Sequence, residues 1–515
     1  MKKSLYIVLG GLLTLGFVSC EPEFDNPVTD EGFYTSGDAD LSNYVAVGNS
    51  LTAGYADGAL YITGQENSYP NIMAQQFALA GGSEDFTQPL MSDNLGGLLL
   101  NGTQVAQNRF VLAADPMTGE PLGPVVLEGT PTTEVTTSAT GPFNNMGVPG
   151  AKSFHLVAPG YGNAGGVASG AANPFYARFA TSGNATVLGD AVSLNPSFFT
   201  LWIGNNDILS YATAGGAGVD QTGNLDPSTY GPNDITDPNV FAAVYSEQVS
   251  ALAAGASGGV LINIPDVTSI PYFTTVPVRS IPLDSPTAAA VNEQFALYNT
   301  QVLPSLVAAG VITSEEAAAR TVSFSAGQNF PIINDDDLTD VSAVLISLGL
   351  DEATANLLGQ LRQANNDDLV VLTAASVLGT LADPNNPLSI IGVAVPLADQ
   401  FVLTAVEQER VATASAAYNA TISGLASANG LGFVDARSAL AQVANGGINY
   451  DGGLLTSEFV TGGAFSLDGV HPTPRGYAYT ANLIIDEINK TYNATIPNVN
   501  IGNYGTITLA NNVSN

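Results

Sequence analysis

Four short apolar runs stand out along the chain: "NYVAV" before Gly48, "SFFTLWIG" at 197–204, "GGVLINIPD" at 258–266 and "GLGFVDA" at 430–436. Each is too short for a helix, gives way to small polar residues, and predicts a buried strand. The stretches between them have helical character. "SYPNIMAQQFALAGG" (68–82) carries a proline in its first turn and glycines at its end. "FAAVYSEQVSALAAGAS" (241–257) and "VLTAVEQERVATASAAYNATISGLASANG" (402–430) predict two longer helices. Apolar strands alternating with helices predict an α/β fold with a parallel sheet covered on both faces.

Two stretches break that rhythm. Residues 83–143 are rich in Thr, Gly and Pro and predict hairpins or long loops. Residues 281–395 read as mostly helical, around "NDDDLTDVSAVLISLGLDEATANLLGQL". Both are read as insertions into one domain spanning 42–490, with 491–515 as a C-terminal extension. Asp335–Asp337 are read as a solvated helix start rather than a metal site, since carboxylates suit a helix N-terminus.

The N-terminus adds a targeting signal. Lys2 and Lys3 precede an apolar run, Leu5 to Val18, that closes in Ser19-Cys20. The run is short for a membrane span and has the shape of a secretory signal. Cys20 is the only cysteine, so no internal disulfide can form. The pattern resembles a bacterial lipoprotein signal, which implies cleavage after residue 19 and lipidation of Cys20. Residues 20–41 are acidic and turn-rich, and are read as a tether. An ordinary signal peptide with an incidental cysteine is the alternative.

Charge narrows the partners. The chain carries 12 Lys and Arg against 46 Asp and Glu, a formal charge of −34. Such a surface repels phosphates and argues against nucleic acid as a partner. Only two histidines exist, His155 and His471, so imidazole catalysis must use one of them. With so few nitrogen and sulfur ligands, an ordinary zinc site is not expected. No nucleotide-binding loop appears at a strand–helix junction.

Four places could carry chemistry. Asp468 precedes His471 by three residues in "FSLDGVHPTPRG", a spacing that lets a carboxylate hold the imidazole Nδ1–H and leave Nε2 as a base. Ser50 stands at the end of the first strand, where a parallel sheet binds ligands and a helix start offers N–H groups to an oxyanion. "NNMGVPGAKS" supplies Gly147 and Gly150, and "LWIGNNDILSYA" supplies Asn206. Taken singly, a turn serine capping a helix and a chance Asp–His pair on a surface turn explain these residues equally well.

Together and in this order, the four places resemble the SGNH, or GDSL, hydrolase family, and most nearly its large lipoprotein members of the Bacteroidetes group. Gly48-Asn49-Ser50-Leu51 is similar to the first block of that family, which usually has Asp where Asn49 stands. Asn145 to Gly150, Gly204 to Asp207 and Asp468 to His471 resemble the other three. The resemblance covers roughly 42–280 and 396–490. It implies a three-layer α/β/α, flavodoxin-like SGNH-hydrolase fold. It also implies Ser50 as nucleophile, His471 as base and Asp468 as the group that orients it. The oxyanion hole would be the Ser50 and Gly150 N–H groups with the Asn206 side chain; no metal or cofactor is implied. His155 is expected to be structural, Asp207 to brace its loop, and Trp202 to be sheet core.

The expected function is therefore a serine ester hydrolase, a GDSL-type lipase or esterase, lipid-anchored in the cell envelope at the outer membrane or cell surface. Acyl-lipid esters are favoured because "VSAVLISLGL" (341–350) and "LSIIGVAVPLADQFVL" (388–403) could form a lid or acyl pocket. A polysaccharide O-acetyl esterase is the alternative. A non-catalytic ligand-binding surface lipoprotein is the alternative of another class, opposed by the presence of all four blocks.

Overall fold

The computed structural model describes residues 32–510, apart from Pro116 and Pro387. The signal and Cys20 lie outside the described residues.

Five parallel strands form the central sheet: β1 (Tyr44–Gly48), β2 (Asn145–Gly147), β3 (Phe198–Trp202), β4 (Gly258–Ile262) and β5 (Gly432–Val434). Their order is β2-β1-β3-β4-β5. This is a flavodoxin-like order in general terms, and its direction of winding reverses between β1 and β3. Every residue of β1, β3 and β4 is buried, as a sheet covered on both faces requires. The sequence predicts four of these strands and misses β2. That strand is three residues long and begins with a polar Asn145, so it carries no periodic signal.

Helices complete a three-layer α/β arrangement. A short turn, α1 (Ser50–Ala53), leaves β1, and α2 (Tyr69–Leu79) follows with Ser68 as its cap and Pro70 in its first turn. The helix α8 (Pro474–Tyr492) packs against α2. The Phe77 ring meets Tyr44 edge-on at 5.0 Å and Phe198 at 6.2 Å, while Tyr492 meets Phe198 at 5.4 Å. Truncating a ring buried like Phe77 to alanine would cost about 3–5 kcal/mol. The other layer contains α3 (Val187–Ser193), α4 (Asn206–Thr213), α5 (Pro238–Ala253) and α6 (Ala405–Asn429). There α5 packs on α6, with the Phe241 ring stacked 4.1 Å from Tyr418. Helix α6 starts in a capping box between Thr404 and Glu407 and stops at Gly430 in the left-handed region. A short helix α7 (Ala436–Ala444) follows β5.

Residues 83–143 contain a small three-stranded sheet and the hairpin Phe110–Ala114 with Pro121–Val126. Residues 281–393 hold a separate apolar cluster that includes Val291, Phe295, Leu306, Leu345 and Leu361. Asp335–Asp337 do not begin a helix. They follow the strand Ile332–Asn334 in a turn, with Asp335 paired to Arg362 and Asp337 to Arg410. Burial of Asp335 beside Arg362 explains the difference from the solvated reading. The last residues of the acidic stretch also pack: Ala39 and Leu41 are buried, and the Asp38 N–H donates to Tyr492 O at 2.7 Å.

Candidate functional site

The carboxyl ends of β1, β3 and β4 converge on one apolar cavity. Beside β1, the chain turns sharply after Gly48. Asn49 is fully buried and caps α1, its Oδ1 accepting the Leu51 N–H at 3.0 Å. Its Nδ2 donates to Asn205 Oδ1 at 3.2 Å, joining the ends of β1 and β3. Ser50 is thereby the first residue of α1 and is almost buried.

His471 arrives from a loop 421 positions away, and its Nε2 lies 2.9 Å from Ser50 Oγ. Its Nδ1 lies 2.8 Å from Asp468 Oδ2. An Nδ1–H donated to that carboxylate leaves Nε2 to accept from Ser50. The turn is tightly closed. Asp468 Oδ1 accepts the backbone N–H groups of Val470 and His471 at 2.9 and 2.8 Å, and Ser466 Oγ donates to it at 3.1 Å. Gly58 N–H donates to Asp468 Oδ2 at 2.9 Å. Burial pushes the Asp468 carboxyl up, but the His471 charge and these hydrogen bonds outweigh it and hold the pKa down at about 2. The Tyr55 ring leans on the imidazole, 4.7 Å between centroids.

The resemblance names Gly150 and Asn206 as oxyanion donors. Asn206 opens α4 and lines the same cavity as Ser50 and His471. Its Nδ2 donates to Ala151 O at 2.9 Å, which fastens it to the Gly150 loop. Gly150 has φ +79°, a conformation that favours glycine. Among the described residues, neither the Ser50 nor the Gly150 backbone N–H has a protein acceptor. Gly147 is needed for a different reason: a Cβ there would overlap the Ala53 backbone, so β2 could not lie against α1.

The remaining residues are structural in their contacts. Asp207 is fully buried and its two oxygens accept Ser153 N–H at 2.8 Å and Oγ–H at 2.6 Å, so it braces the loop after Gly150. His155 accepts the Lys152 N–H on Nδ1 at 3.0 Å and stacks on Tyr161. Trp202 donates from Nε1 to Asn263 O at 3.1 Å and also lines the cavity. Sequence reasoning misses Asp57, Ser466 and Tyr55, whose value lies only in long-range contacts.

The cavity has a water-accessible volume of about 120 Å³. Besides Ser50 and His471 it is lined by Trp202 and Phe465, by Leu440 and Val443 of α7 and by Leu483 of α8. No lining residue falls within 281–395, nor in 341–350 or 388–403. The apolar segments expected to form an acyl pocket pack elsewhere: Val341 and Leu345 sit in the separate cluster, while Val402 and Leu403 pair with Val370 and Leu369 and join the main core.

The architecture is that of a general α/β hydrolase-like protein. Among the described residues no helix is long and apolar enough to cross a membrane. No protein-family model, curated protein or solved structure matches the chain.

Proposed function

We propose that this protein is a serine ester hydrolase of the SGNH, or GDSL, type, acting on esters with an apolar acyl chain. The observation that carries the reading is the 2.9 Å approach of His471 Nε2 to Ser50 Oγ, with Asp468 on the opposite ring nitrogen. A serine hydroxyl needs such a base, and a base needs such an orienting group.

In this mechanism His471 takes the Ser50 proton as Oγ attacks the ester carbonyl. The oxyanion accepts hydrogen bonds from the Ser50 and Gly150 N–H groups and from Asn206 Nδ2. The C–O bond to the alcohol then breaks, and His471 returns its proton to that alcohol. Water, losing a proton to His471, attacks the acyl-enzyme, and the acid leaves as Ser50 regains its hydrogen. The Asp468 carboxylate stays ionised throughout and stabilises the imidazolium.

The cavity supports the acyl preference. Leu440, Val443, Leu455 and Leu483 offer an alkyl chain an apolar lining beside the nucleophile, which an acetyl group would leave unfilled. The reading assigns residues 42–490 to one hydrolase domain with insertions near 83–143 and 281–395. It places the protein on a membrane through a lipid on Cys20, supported by the signal-like sequence before it.

The test is hydrolysis of p-nitrophenyl esters from C2 to C16 by the wild type and Ser50→Ala. The reading expects a maximum at a medium chain, with octanoate at least about tenfold better than acetate, and loss of activity in the variant. A maximum at acetate would remove the acyl assignment, and equal activity in Ser50→Ala would remove the mechanism.

A further inference from the structure

A second group of carboxylates lies away from the serine, where the segment following β4 meets the sheet domain. Asp336 comes from the turn after Ile332–Asn334, Asp399 opens the short turn Asp399–Phe401, and Glu407 is the third residue of α6. One carboxylate oxygen from each lies within 4.8 Å of the other two. A single cation held at about 2.4 Å from each oxygen would produce that spacing.

The group is short of protein partners. Glu407 is fully buried, and its Oε1 has no hydrogen-bond partner. Its other oxygen accepts the Thr404 N–H at the helix start. Asp399 Oδ1 is likewise buried without a partner. Among the described ion pairs, none involves Asp336, Asp399 or Glu407; the nearby Arg410 and Arg362 are spent on Asp337 and on Asp335 with Asp368. Buried acceptors left bare are costly, and more so when charged. Gly216, just past α4, has φ +83°, and a Cβ there would overlap Glu407 Oε1, so the chain leaves that oxygen its space. Asp336 is exposed and gives the group a path to solvent.

We propose that Asp336, Asp399 and Glu407 bind a calcium ion that ties the segment after β4 to helix α6. An all-carboxylate donor set drawn from two turns and a helix suits a hard cation of flexible geometry, and disfavours zinc or copper. Asp335 and Asp337 lie beside it and add negative potential. The ion would satisfy the two bare oxygens and cancel the repulsion among three carboxylates. The site is independent of the ester chemistry.

Calcium chloride is titrated into the chelator-treated full chain by calorimetry, with melting temperatures recorded in parallel. Binding of close to one ion is expected, with melting raised by about 2–4 °C at a hundredfold excess over Kd. Asp399→Asn and Glu407→Gln should each abolish the heat and the shift, the second keeping an amide oxygen for the Thr404 cap. Absence of binding by the wild type at millimolar calcium overturns the proposal, because the oxygens then share protons instead. A shift reproduced by sodium chloride at equal ionic strength, or calcium binding retained in both variants, also overturns it.

Discussion

The Asp57 carboxylate accepts the Leu467 N–H at 3.0 Å, joining the chain just after Ser50 to the turn that carries His471. The link is reciprocal, since Asp57 N–H donates to Ser466 Oγ at 2.9 Å. Tyr61 OH donates to the second Asp57 oxygen at 2.8 Å, and Arg109 lies 3.9 Å away. Asp57 touches neither Ser50 nor His471, so under the proposed mechanism its part is to position the His471 turn. Asp57→Ala should lower kcat about 10–100-fold with KM nearly unchanged, because a displaced base costs the reaction step and not substrate affinity. Wild-type kcat in a folded Asp57→Ala protein would show that the His471 turn holds itself in place.

Asn49 stands where a carboxylate would be usual for the resembled family. Its oxygen caps α1 and its amide donates to Asn205. An aspartate keeps the cap, and Asn205 can turn its own amide to donate in return. Asn49→Asp should therefore change kcat/KM by less than about tenfold, or ~1.4 kcal/mol. Asn49→Leu, which removes the cap from the half-buried Leu51 N–H, should be far worse. A nearly inert wild type that Asn49→Asp activates strongly would instead favour a ligand-binding role.

His155 gives a pH signature in stability. Burial, and then the Lys152 charge, pushes its pKa down from 6.5 to about 4. The unfolded chain thus binds this proton more tightly than the folded one. The stability that neutral His155 contributes is present above pH 6.5 and is lost as pH falls through about 4. Urea midpoints measured at pH 7 and pH 4.5 should fall more for the wild type than for His155→Asn. An identical fall in both proteins would exclude His155 as the source.

The apolar room between α7 and α8 sets chain length in this account. Leu440 lines it from α7. Leu440→Trp should fill part of that room, lowering kcat/KM for p-nitrophenyl octanoate by about tenfold or more while leaving acetate nearly unchanged. Equal losses on both esters would indicate general damage and not a shortened pocket.

What was legible in the sequence follows from range. Strands β1, β3 and β4 announce themselves because a strand buried on both faces is a continuous apolar run, and β5 by the short apolar run that follows a long helix. Asp468 and His471 are legible as a pair because a tight turn brings residues three apart together. Strand β2 is hidden because Met146, between Asn145 and Gly147, is its one large apolar residue. Asp57 and Ser466 are hidden because their partners lie 409 and 410 positions away, and local pattern carries no such information. The acyl pocket was expected from the most apolar insertion segments. Those residues pack in the separate cluster and in the main core away from the cavity, which is built from strand ends and from α7 and α8, whose apolar residues look ordinary in sequence.

The central claim is that Ser50 is the nucleophile activated by His471. Labelling with a fluorophosphonate, followed by peptide mass mapping, tests it most directly, because the probe bonds only to an activated hydroxyl. One phosphonyl adduct per chain is expected, on the peptide that carries Ser50, formed in step with loss of esterase activity and absent in His471→Ala. An adduct on another residue that forms in step with inactivation, or full inactivation without any adduct on Ser50, would contradict it.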